Sequence, residues 1–159
     1  MHSTIIQIEP TEGCYLKQEP ATESDFENET DKVDYYELLT GEEREARINY
    51  VIKQSEWYKR LFVPLQGTKD KLVYNGKVEE LKAEWIANIQ AELTELKNDK
   101  GFDTFKITEA INRPTNTCSL FYIKDWDGLM YPTGFFDFLS RKAERGDIFI
   151  IRSIFDYHW

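Results

Sequence analysis

The chain has 159 residues, with 41% hydrophobic and 31% charged side chains and a formal charge of −9. That is the size and balance of one globular domain, which excludes a disordered chain and leaves room for a core without staples. The longest apolar runs span a few residues, so no segment is predicted to cross a membrane.

The charge is uneven. Residues 1–45 carry 13 acidic groups against Lys17, Lys32 and Arg44, while the other 114 residues come to +1. No Lys/Arg cluster exists to neutralise phosphates, so nucleic-acid binding is not expected. The acidic end serves solubility or meets a basic partner. Cys14 and Cys118 lie far apart and outside any metal spacing, as free thiols of a reducing compartment do. With no leader at Met1-His2-Ser3-Thr4, a cytoplasmic location is expected, and the Asn28-Glu29-Thr30 sequon is then accidental.

In chain order, β-branched residues 3–8 predict a strand ended by Glu9-Pro10, with Gly13 turning into a returning strand at Cys14–Lys17. Residues 19–34 are acidic and nearly free of aliphatics, so an exposed loop is expected, with Phe26 and Val33 as the only anchors. Thr40 and Glu43 fit a capping box, and the apolar face of Ile48, Val51 and Ile52 predicts a helix to about Lys59. Leu61–Val63 is a helix tail or an edge strand. Leu72–Tyr74 then leads to Asn75-Gly76, a turn that closes a hairpin or delivers the chain into a helix.

Val78, Leu81, Trp85, Ile89, Leu93 and Leu96 recur at helical spacing, predicting a helix from 78 to 97 with this stripe in the core. A short helix is expected within Phe102–Asn112. Cys118–Ile123 reads as a strand, Asp125–Gly128 as a turn and Leu129–Tyr131 as the partner strand. A helix over Gly134–Glu144 and a strand over Ile148–Phe155 follow. That last strand is polar only at Arg152 and Ser153, the pattern of burial on both faces. With no repeat or linker, a single α+β domain over 1–159 is predicted, a small mixed or antiparallel sheet packed on two or three helices.

The only histidines are His2 and His158, one near each end, which argues against imidazole-based triads and structural zinc. The eight glycines stand at least six residues apart, so no phosphate-cradling loop can be written. What survives is carboxylate chemistry. Asp125-x-Asp127-Gly128 could begin a magnesium or calcium site, with Asp147 or Asp156 converging, yet an Asp-rich turn and a helix-to-strand junction explain these residues as well. No metal or cofactor is expected.

Contact rather than catalysis is therefore the reading, with a protein partner or a second copy of the chain. The candidate surface is aromatic: Tyr35 and Tyr36 near the acidic end, and Trp126, Tyr131, Phe135, Tyr157 and Trp159 in the C-terminal region. Two other readings stand beside it. One is an acidic inhibitor or immunity-type protein with Tyr35 and Tyr36 at its binding edge, and the other is a metal-dependent hydrolase built on the aspartates. A small acidic chain of this type also has the general look of a phage or mobile-element accessory protein.

Overall fold

The computed structural model describes residues 2–12, 19–26, 35–98, 101, 104–112, 119–124, 126 and 128–158. They form an α+β fold on a mixed sheet in the order β3-β4-β7-β1-β5-β6, with β2 also on β7. The strands are β1 (His2–Pro10), β2 (Tyr35–Leu38), β3 (Phe62–Pro64), β4 (Lys71–Tyr74), β5 (Ser119–Tyr122), β6 (Leu129–Met130) and β7 (Ile148–His158). The helices are α1 (Gly41–Asn49), α2 (Glu56–Leu61), α3 (Val78–Asn98), α4 (Phe105–Asn112) and α5 (Pro132–Lys142). The described residues thus form the α+β fold on a mixed sheet that the sequence suggested, with seven strands and five α-helices.

β7 is the spine. It pairs antiparallel with β1 on one edge and with β4 and β2 end to end on the other, and its apolar residues are buried on both faces, Phe149, Ile151 and Ile154 in one cluster and Phe155 and Tyr157 in another. Among the described residues, no strand reaches it between β4 and β2. Arg44 of α1 fills that gap, donating from Nη2 to the carbonyls of Ile151 at 2.6 Å and Arg152 at 3.0 Å. An arginine side chain thus satisfies acceptors that a strand would otherwise pair.

β1 runs through Glu9-Pro10 instead of stopping before them. Ile6 faces Ile154 while Ile8 faces Ile151, so Gln7 opposes two residues, Arg152 and Ser153, in a β-bulge. The bulge sends both side chains to one face. Arg152 Nε meets Glu9 Oε2 at 2.6 Å, and Ser153 Oγ donates to the Ala21 carbonyl at 3.0 Å.

All described helices that join the main core lie on the opposite face of the sheet. There Ile6, Ile8, Phe121, Phe149 and Ile154 meet Ile48, Tyr58, Leu61, Val78, Leu81, Phe135 and Phe138. Phe121 and Phe135 stack with ring centres 4.5 Å apart, the kind of aromatic contact that adds to simple burial.

The other face carries a smaller cluster of Ile5, Ala21, Phe26, Tyr122, Phe155 and Tyr157. Residues 19–26, expected in an exposed loop, instead strap across this face. Ala21 and Phe26 are 1% exposed, although Glu19, Pro20 and residues 22–25 do face solvent. The Ala21 N–H donates to Gln7 Oε1 at 2.7 Å, and Thr22 and Asp25 form a capping pair that starts the turn carrying Phe26. The proposed returning strand at Cys14–Lys17 and the second anchor Val33 fall outside the described residues.

Two further expectations are corrected locally. Thr40 is the N-cap of α1 but makes no side-chain capping bond, so the capping box is not formed. The helix predicted to reach Lys59 widens into a π-helical turn at Tyr50–Gln54 and breaks at Ser55, which is extended. The wider turn keeps Val51 and Ile52 buried, and the break lets α2 restart at a new angle with Tyr58 inward.

Asn75-Gly76 delivers the chain into α3. Gly76 has φ +73°, and a Cβ there would lie 2.8 Å from Arg145 Cβ. The turn rests on the Arg145-Gly146 turn, whose Gly146 N–H donates to the Tyr74 carbonyl at 2.9 Å. Gly76→Ala should therefore destabilise the fold by about 1–3 kcal/mol through backbone strain and the clash. A denaturant midpoint unchanged from the parent would contradict this.

Candidate functional site

α3 begins in the core and then leaves it. Val78 and Leu81 are buried, but Trp85, Ile89 and Leu96 are half-buried and Leu93 is 49% exposed. The stripe expected to be core is core only in its first turn. Beyond that, α4 covers one side of α3, with Trp85 Nε1 donating to the Ala110 carbonyl at 2.9 Å and Lys106 meeting Glu95 at 3.3 Å.

A groove of about 140 Å³ opens where α2, α3 and α5 meet, lined by Trp57, Val78, Glu79, Leu81, Lys82, Trp85, Thr133, Phe136, Asp137 and Ser140. Its aromatic wall exists because α2 restarts after the Ser55 break, bringing Trp57 within 6.2 Å of Phe136, centre to centre. Pro132 at the first position of α5 presets the helical turn and so fixes the start of the helix that carries Thr133, Phe136, Asp137 and Ser140.

The rim is polar. Glu79 accepts from the Ser140 hydroxyl and lies 3.8 Å from Lys82, while both oxygens of Asp137 take Arg141 Nε at 2.8 Å. That hydrogen bond, with the Asp137 charge behind it, raises the Arg141 pKa. Nearby, burial raises the Tyr74 hydroxyl above its ordinary value, opposed by its backbone hydrogen bond with Val78 and aided by the charge of Glu79. The lining holds two hydroxyls but no imidazole or thiol. What it offers chemically is an apolar, aromatic recess edged by hydrogen-bonding groups.

The groove continues into an apolar lane along α3. Ile86, Ile89, Leu93 and Leu96 follow the line that Glu79 and Lys82 begin, and Ile86 and Leu93 are 42% and 49% exposed. Phe105 and Ile111 of α4 add further exposed apolar surface. The sequence signal for the lane was present but overlaid. Ile86 belongs to a second stripe, offset from the first by less than one quarter turn. Trp57 and Phe136 had no such signal, because only the helix break and the chain's return bring them together.

The aromatic candidates do not gather into one surface among the described residues. Tyr36 is half-buried on the strap face, stacked on Phe26 at 5.6 Å. Trp126 lies on the helical face, edge-on to Phe138 at 5.0 Å, with Lys142 Nζ 5.5 Å from its ring centre. Phe135 is fully buried and Tyr157 is 7% exposed. Tyr131, the N-cap of α5, is 63% exposed. The Tyr35 side chain and Trp159 lie outside the described residues.

The described aspartates have structural partners. Asp147 accepts the Glu144 N–H at 2.8 Å and closes the α5-to-β7 turn. Asp156 sits 3.6 Å from Arg47, whose other nitrogen donates to Thr4 Oγ1. Asp125 and Asp127 fall outside the described residues. Among the described residues, no three His, Cys, Asp or Glu side chains gather to hold a metal ion, and no helix is long and apolar enough to cross a membrane. No known protein family, curated protein or solved structure matches the chain.

Proposed function

We propose that the protein acts by contact, binding another polypeptide through the outer lane of α3 and the aromatic groove at its start. The observation that carries this reading is the run from Trp57, Trp85 and Phe136 to the exposed Ile86 and Leu93. Contiguous apolar surface rimmed by polar groups marks contact sites, and helical lanes with an adjoining pocket accept an anchor side chain and the segment that bears it.

Photo-crosslinking tests it. A benzoylphenylalanine at position 86 should capture a discrete polypeptide in native extract. The same probe at Glu80, on the solvent side of α3, should not, and Leu93→Glu should suppress the product at 86. Identical products from both positions, or none from either, would contradict the proposal.

A further inference from the structure

The sheet register points to a metal site made of two histidines, taking zinc or a similar divalent ion, and independent of the α3 lane. The chain has two histidines, His2 and His158, one near each end of the sequence. The fold nevertheless sets them directly opposite each other on β1 and β7. Residues opposed in an antiparallel pair send their side chains to one face, with Cβ atoms about 4.5–5.5 Å apart. From that separation two imidazoles can close on one ion, at metal–nitrogen distances of about 2.0–2.1 Å. The first bond holds the second ring beside the ion, so the pair binds far more tightly than either ring alone.

The neighbouring rows favour a cation there. Alternation along a strand puts residues 4 and 156 on the face of residues 2 and 158. On that face Asp156 lies 3.6 Å from Arg47, whose other nitrogen donates to Thr4 Oγ1 at 2.7 Å. The arginine charge is thereby met by a carboxylate, one row in from the histidines. On β2, Tyr35 stands opposite His158 and Glu37 opposite Asp156, so the third strand adds an acid and no base. Imidazole nitrogen selects zinc, copper or nickel over magnesium or calcium, which take oxygen. Two protein ligands leave the other positions of the ion to solvent, so it exchanges instead of serving as a fixed structural centre. While bound, it fastens the start of β1 to the end of β7 and stabilises the folded sheet.

Zinc titrated into the chain, produced without a polyhistidine tag, tests this through the imidazole resonances in NMR spectra. With two histidines in the sequence, both should shift together and saturate at one equivalent. Zinc should also raise the urea midpoint, and magnesium should not. His2→Ala and His158→Ala should each weaken zinc binding at least about tenfold, because either leaves a single ring. Rings that respond separately, one ring only, or neither would overturn the inference on the parent chain alone, whatever a variant does to the fold. So would a folded single-histidine variant that binds zinc as tightly as the parent, or equal stabilisation by magnesium. None of these outcomes touches the α3 lane, whose test is the crosslink at position 86.

Discussion

Glu9→Ala should lower the stability of the fold by about 3–5 kcal/mol, the usual result of stranding one member of a buried ion pair. Glu9 is 0% exposed, and the Arg152 side chain is 16% exposed. The carboxylate also accepts from Gln7 Nε2 at 3.0 Å and from the Lys124 N–H at 3.2 Å. Its loss therefore takes that acceptor from a guanidinium and a backbone donor and leaves the Gln7 amide with the Glu19 carbonyl at 3.2 Å, in a region too enclosed for water to replace it freely. Replacing both partners, as Glu9→Met with Arg152→Met, should recover much of the loss, because the cost lies in the uncompensated charge rather than in the missing attraction. Urea midpoints at unchanged slope would measure both effects. A single variant within 1 kcal/mol of the parent, as a rough bound, would show that the cluster relaxes without penalty.

Phe26→Ala should be comparably severe, about 3–5 kcal/mol for a fully buried phenylalanine. Phe26 sits in an aromatic box, stacked on Tyr36 and edge-on to Tyr122 and Phe155, both at 5.1 Å. It is the largest apolar anchor of the strap, so part of the effect should be local. The bonds from the Ala21 N–H to Gln7 and from Ser153 to the Ala21 carbonyl should open before the sheet does. Cleavage by a glutamate-specific protease at Glu23, which precedes Ser24, should accelerate in the variant well below its unfolding midpoint. Cleavage that tracks global unfolding in parent and variant alike would show that the strap is not a separate unit.

The sequence made the elements legible where the pattern was long, and hid what depended on a partner far along the chain. α3 was readable almost to the residue, because 21 residues of helical spacing ending near Gly101 admit little else. Its surroundings were not. A stripe shows which face is apolar but not how much of it another element covers, and here the core covers only Val78 and Leu81. Glu9 looked like a strand end because Pro10 follows it. The signal that it is buried lies 143 residues away, in Arg152, the one cation of an apolar strand and therefore in need of a buried acid. The bulge that joins them cannot be read from either segment alone. The break at Ser55 was equally hidden, since Ile48, Val51, Ile52 and Ser55 fit one continuous helix. That break is what turns Trp57 toward Phe136 and makes the groove.

The same logic separates the aromatic candidates. Composition identified a C-terminal region rich in rings but could not divide core from surface. Trp126 went into packing against Phe138, whereas Tyr131 stayed out because the first turn of α5 begins with it. The residues on which the functional reading now rests are instead two aliphatics, Ile86 and Leu93, that a helix of this kind normally hides.

The most direct test is to place the photoreactive side chain on α3, first at position 86 and then at position 80, and to map what each attaches to by mass spectrometry. Contact through the outer lane predicts one defined polypeptide joined at position 86, absent at position 80, and lost when Leu93 becomes glutamate. The same set of adducts at both positions, untouched by the Leu93 change, would mean that this face of α3 meets nothing in particular.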